Sequence, residues 1–171
     1  MRRTIALSTI VLVGLAGTVR AEIRKKEDVP RYIKLLRASP SGKIRADAAE
    51  ELGHRGAIRK SDVLAAVDPL MTALIKDRDP NVRANAAIAL GSIVPNNKAA
   101  VQPLVDALKD PDMKVRISAA SALGMHGPEA KEAIPALRDM AQSAGNDKKS
   151  KGLKRAARQA INSIRGKIRK K

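Results

Sequence analysis

Apolar residues recur along this chain with the period of a helix, and they recur within one repeated phrase. The stretch Val82-Arg83-Ala84-Asn85-Ala86-Ala87-Ile88-Ala89-Leu90-Gly91 places Val82, Ala86 and Leu90 on a single stripe. Val115 to Gly124 (VRISAASALG) repeats it, Ile44 to Gly53 (IRADAAEELG) anticipates it, and Leu153 to Asn162 (LKRAARQAIN) is a weaker last copy. Self-similarity at periods of about 20–50 residues marks a stacked array, in which no unit buries its apolar face alone. Past the first residues no run alternates with period two, so strands are not expected.

A second helix is expected before each phrase. Asp28 can cap the first, with Pro30 in its opening turn and Tyr32, Ile33 and Leu36 on its buried side, and Ser39-Pro40-Ser41-Gly42 should end it. Ile44, Ala48 and Leu52 form the stripe of the next helix, with Gly53 and Gly56 as candidate C-caps; Gly91 is read in the same way. Ser61 or Asp62 should start a helix carrying Leu64, Val67, Leu70, Met71 and Leu74 inward. Pro69 interrupts that helix, and Pro103 and Pro135 recur at the same place, which predicts a kink or a restart in each unit. Asp79-Pro80 and Pro111-Asp112 mark tight turns, Pro95-Asn96-Asn97 and Gly127-Pro128 separate the units, and Gln142 to Lys151 reads as a longer polar connection. Leu153, Ala157, Ile161, Ile164 and Ile168 give the last helix an apolar stripe.

Composition narrows the function classes. There is no cysteine, which excludes disulfides, thiolate metal sites and a cysteine nucleophile. One Tyr and no Phe or Trp leave no aromatic platform for single-stranded nucleic acid. Arg2 and Arg3, the apolar run Ile5 to Ala16, and Val19-Arg20-Ala21 read as a cleavable export signal over residues 1–21; an uncleaved membrane anchor is the alternative, against which the run is short of the roughly 20 residues that span a bilayer. An exported chain meets no cytoplasmic nucleic acid. The formal charge of +17 is uneven, because every ionisable residue from Lys148 to Lys171 is basic while the span before it is nearly balanced.

Paired helices with a proline in the first, followed by the pattern D-x-D-P-x-V-R-x-x-A-A-x-A-L-G, resemble HEAT repeats of the phycobilisome-lyase-like subtype. The strong units are Asp68–Ile93 and Gln102–Met125, within a match over roughly Asp28 to Ile168. The resemblance implies an all-α, right-handed α-solenoid of about four antiparallel helix pairs. The expected repeats are 30–56, 61–94, 97–126 and 128–168, after a charged lead-in at 22–29 and before a basic tail at 169–171. It also implies that the second helices line the concave side and that an Asp and an Arg six residues apart form a structural ladder between units. Asp77 with Arg83, and Asp110 with Arg116, fit that spacing; Arg45 has Ser39 in the acidic position, so the ladder is expected to cover only the middle.

Stacking the phrases brings candidate contact residues into columns: Asp47, Asn85, Ser118 and Ala156 in one, Glu50, Ile88, Ser121 and Gln159 in another, and Ala46, Ala84, Ile117 and Arg155 in a third. The first unit is acidic there and the last is basic, which suits a polar protein-binding groove or weak head-to-tail self-association. Lys154, Arg158, Arg165, Lys167, Arg169, Lys170 and Lys171 are candidate contacts to anionic lipid or polysaccharide. His54 and His126 follow phrase helices and read as turn residues. Glu50 and Glu51 stand at helical spacing from His54, but the paired His-Glu dipeptides of the resembling iron hydroxylases are missing. The expected protein is therefore an exported, non-catalytic interaction scaffold without metal or cofactor, with an anionic-surface binder as the alternative and an enzyme of hydroxylase or lyase type as a distant one.

Overall fold

The structure is a computed structural model, and it describes residues 28–95, 97–145 and 147–168. The leader, most of the lead-in and the tail Arg169, Lys170 and Lys171 lie outside the described residues. Helix α1 occupies 28–38 and already includes Asp28, whose carboxylate accepts a bond from Arg55 Nη2 at 3.1 Å. Val29 and Leu36 are its buried residues, with Tyr32 and Ile33 half-buried beside them.

The phrase helices are α2 (Gly42–Ile58), α5 (Pro80–Ile93), α7 (Met113–His126) and α9 (Lys148–Ile168). Each begins on a side chain that accepts from the orphan N–H groups of the first turn: Ser41 from Ile44, Asp79 from Asn81, Asp112 from Lys114 and Val115, and Asp147 from Ser150. Those helices pack side by side in sequence order and form one layer. On its other side α4 (Val67–Lys76) lies against α5, α6 (Val101–Ala107) against α7, and α8 (Ile134–Ser143) against α9. The result is an α-solenoid, with no strand among the described residues.

The repeated proline marks a restart. Short 3-10 turns, Leu64–Ala66, Lys98–Ala100 and Gly127–Ala133, precede α4, α6 and α8, and α3 (Lys60–Val63) lies just ahead of the first. Pro69 and Pro103 are then third residues, and Pro135 a second residue, of fresh helices. In a first turn the missing N–H of proline has no intrahelical partner to lose. Gly127 ends α7 at φ 62 and ψ −132, a backbone state that a side chain would oppose.

Several expectations change. Gly53, Gly56 and Gly91 do not cap their helices; they lie inside them and are buried. A Cβ on Gly53 would sit 3.0 Å from the Cα of Ala89, and one on Gly91 would sit 2.9 Å from the Cα of Ala122. Glycine is there so that successive phrase helices can touch backbone to backbone. Leu64 points outward at 54% exposure, and Val63 and Ala66 fill the interior instead, because the 3-10 turn rotates the stripe. Ile44 is 44% exposed, whereas its counterparts Val82 and Val115 are fully buried; among the described residues no earlier unit covers Ile44. The connection before α9 is short, because α8 continues to Ser143 and Asp147 starts the next helix.

Ala84, Ala86, Ala87 and Ala89 of α5, and Ala119, Ala120 and Ala122 of α7, are buried to within 1%. With Leu52, Leu90 and Leu123 they make a core of small residues between layers and branched residues at fixed intervals. Small side chains at these positions set the close spacing that the glycines require.

Candidate interaction surface

Two sets of polar side chains are organised by the stack, one in the turns and one on the outer face of the phrase helices. In the turns, Arg45 meets Asp77 edge to edge, with Nε at 2.7 Å from Oδ2 and Nη2 at 2.8 Å from Oδ1. Arg83 meets Asp110 in the same way at 2.8 and 2.9 Å. These are bidentate, charge-assisted pairs in which the planar guanidinium matches the carboxylate. Each arginine also clips its own turn through Nη1: Arg45 to the carbonyls of Ser39 and Pro40, Arg83 to those of Asp77 and Arg78, and Arg116 to those of Asp110 and Pro111. The aspartates in turn accept the backbone N–H of Asp79 and Asp112 through Oδ1, at 2.9 and 2.8 Å.

The direction of the pairing corrects the expectation about Arg45. An arginine binds the aspartate of the following unit, and within its own unit it reaches only carbonyl oxygens. Ser39 is therefore no obstacle to Arg45, which joins the ladder through Asp77. Arg116, at the other end, meets no carboxylate among the described residues.

Both paired acids are held below their usual carboxylate range. For Asp77 the hydrogen bond from Arg45 is the largest influence, helped by the Asp79 N–H and the nearby positive charges, and burial opposes them. For Asp110 burial is the largest single influence and pushes upward, but Arg83, the Asp112 N–H and the charge of Arg116 together outweigh it. Arg45 and Arg83 are correspondingly raised, first by the bonds to Asp77 and Asp110.

On the outer face of the phrase layer, Asp47 and Glu50 are exposed on α2, Asn85 and Ile88 are half-buried on α5, Ser118 and Ser121 are half-buried on α7, and Arg155, Arg158 and Gln159 are exposed on α9. Asn85 is already engaged: its amide donates to the carbonyl of Ala46 at 3.0 Å and to Glu50 Oε2 at 3.4 Å. Ala46, Ala84 and Ala156 are buried and contribute no exposed surface, and Ile117 is half-buried. Ser121, Met125, Gln159 and Ser163 line a cleft of about 290 Å³ between α7 and α9. Lys151, Lys154, Arg155 and Arg158 gather around another, of about 370 Å³, on α9. Arg165 is exposed further along that helix, and Lys167 is placed as a position on it.

Neither histidine is the turn residue expected: His54 is exposed inside α2, four residues before its end, and His126 is the buried last residue of α7. Among the described residues no three His, Asp or Glu side chains converge to hold a metal ion, and no helix is long and apolar enough to cross a membrane.

A layered stack of helix pairs, with restart prolines in α4, α6 and α8 and with Arg45 and Arg83 each reaching into the next turn, defines a helical-repeat solenoid. The chain matches the family of HEAT repeats over residues 29–99 and 67–162, and it belongs to that family. None of the curated proteins compared matches it. Among solved structures, the complex of CpcE and CpcF of phycocyanin lyase from Nostoc sp. PCC7120 is similar, with a TM-score of 0.61 and 29% identity over 78% of this chain and 52% of the other. An engineered protein gives a TM-score of 0.59 and 25% identity over 80% and 62%. A designed armadillo repeat protein in complex with the peptide (KR)4 gives 0.57 and 24% over 77% and 63%, a likeness of fold. The chain thus spans between about half and two thirds of the length of these structures.

Proposed function

We propose that the protein is a non-catalytic scaffold of an exported compartment that binds a protein partner along the outer face of its phrase-helix layer. The observation that carries the reading is the charge gradient on that face. Asp47 and Glu50 stand exposed at one end, Arg155 and Arg158 at the other, and Ser118 and Ser121 lie between them. An extended partner with the opposite gradient would be steered in one orientation, because complementary charge fixes register and speeds encounter. The family supports the reading, since a repeat stack presents a long, rigid surface, and one fold neighbour is a designed repeat protein bound to a peptide.

The absence of cysteine makes a direct test available. A photo-crosslinker on Ser118→Cys should capture a discrete partner from the exported fraction, and the same probe on Gln102→Cys, exposed on α6 in the other layer, should not. Equal capture from both sites, or capture from Gln102→Cys alone, would refute the placement. Export is tested by the mass of the purified native protein, which should correspond to a chain beginning at Glu22.

The cluster of Lys151, Lys154, Arg155 and Arg158 favours a second reading, contact with an anionic lipid or polysaccharide surface. Deleting α9 is an unsuitable test, because Leu153, Ala157, Ile161 and Ile164 are core residues. The charge reversals Arg155→Glu and Arg158→Glu keep that core and should abolish binding to anionic vesicles at low salt. A wild-type protein that ignores such vesicles removes this reading.

A further inference from the structure

Arg116 makes half of the contacts that its counterparts make. Its Nη1 is held by the carbonyls of Asp110 and Pro111 at 2.6 and 2.9 Å, as in the other turns. Its Nε and Nη2 form the edge that Arg45 and Arg83 present to Asp77 and Asp110. For Arg116 no carboxylate occupies that place among the described residues. The reason lies in the chain: where α4 and α6 are followed by Asp77 and Asp110, α8 ends in Ser143-Ala144. The Ser143 hydroxyl is no substitute, since it donates to the carbonyl of Asp139 at 2.7 Å.

A cleft of about 490 Å³ adjoins this arginine, between the α6–α7 turn and the α8–α9 turn. Val105, Leu108, Met140 and Leu153 supply an apolar floor, and Lys109 adds a second positive charge. The two carbonyls fix the guanidinium plane before any ligand arrives, which reduces the ordering cost of binding. We propose that this cleft is a carboxylate-binding site, in which a carboxylate on an apolar stem, supplied by a partner, takes the place that Asp77 and Asp110 hold in the other turns. A monoanion fits better than a phosphate dianion, because Asp110 and Asp139 also line the cleft and repel extra negative charge. The site is separate from the phrase-helix face, and the two proposals can fail independently.

The test uses the full chain and the Nε–Hε resonance of Arg116. N-acetyl-leucine and a capped Ala-Asp-Leu peptide supply a terminal and a side-chain carboxylate; N-acetyl-leucinamide and inorganic phosphate are the controls. A saturable shift with either carboxylate, at concentrations on the order of 1 mM, and none with the amide is the expected result. The acid alone would assign a chain terminus or small acid as the source, the capped peptide an acidic side chain, and either supports the site. Ala144→Asp should complete the pair internally, raising the unfolding midpoint and abolishing the shift, with Ser143→Asp as a second variant at the neighbouring position. The proposal is overturned if neither carboxylate shifts the resonance, if the amide acts as the acid does, if phosphate binds more tightly than both acids, or if neither variant blocks the acid.

Discussion

Replacing Gly91 by alanine should destabilise the stack, although the same change at Gly152 should strengthen it. In an exposed helix, alanine is favoured over glycine by about 1 kcal/mol. At Gly91 the new Cβ would lie 2.9 Å from the Cα of Ala122, 3.0 Å from its Cβ and 3.0 Å from Met125 Sδ. Carbon atoms prefer roughly 3.5–4.0 Å. The nearest of these atoms is backbone, so relief requires α5 and α7 to separate along their contact. Overpacking of this kind costs about 1–3 kcal/mol, and the propensity gain recovers only part of it. At Gly152 the added Cβ meets nothing nearer than Ile117 Cδ1 at 3.8 Å, so the gain of about 1 kcal/mol should appear undiminished. A difference of about 2 kcal/mol between the variants is expected, which for a chain of this size separates their melting temperatures by roughly 4–8 °C. Thermal and urea unfolding followed by circular dichroism would measure it. Gly53→Ala, with contacts at 3.0 and 3.1 Å, should follow Gly91→Ala, and Gly124→Ala, at 3.2 and 3.6 Å, should fall between the extremes. If Gly91→Ala proves as stable as Gly152→Ala, the close approach of the phrase helices does not depend on glycine and the reasoning fails.

Arg83→Ala and Asp110→Ala should each lower stability, and together they should lower it by less than the sum, with a coupling of about 1–3 kcal/mol in a double-mutant cycle; additive effects would show that the pair is an incidental contact. Because folding lowers the pKa values of Asp77 and Asp110, their contribution is present above the unfolded aspartate value of about 3.9 and is lost as pH falls through the folded values. Urea midpoints should therefore drop below about pH 4, and Asp77→Asn with Asp110→Asn should flatten that drop; an unchanged acid limb in the double variant counts against it.

The solenoid is legible in the sequence because its physics is periodic. Val82, Ala86 and Leu90 repeat as Val115, Ala119 and Leu123, and a stripe that recurs with its turn residues leaves few alternatives to stacked helix pairs. The restart at Pro69, Pro103 and Pro135 was readable for the same reason. The glycines are ambiguous in the sequence because Gly near a helix end has two uses, a cap or a close approach, and the choice depends on a neighbour far away in sequence. The absence of a turn or proline just after Gly91 was the available sign, since Ser92-Ile93 continue the helix. The partner of Arg45 is hidden in the sequence because spacing within one unit says nothing about which unit a long side chain enters. On the candidate face, Asn85 seemed free by column position, yet its amide is turned to the carbonyl of Ala46, a contact between units that no single repeat reveals.

The ladder is polar, since each arginine reads the unit after it and never the one before. Asp77 to Lys109 therefore contains one acid to receive a guanidinium from behind and one guanidinium to pass forward, Arg83. Duplicating that segment in tandem regenerates both junctions with residues the chain already uses, and the helix-to-helix contact of Gly91 with Ala122 is replaced by Gly91 with a second Ala89 in the register that Gly53 already adopts. The stack is thus extensible at its centre by whole cassettes, whereas the acid of a unit appended after α9 would find Lys154 at the position that Arg83 holds in α5.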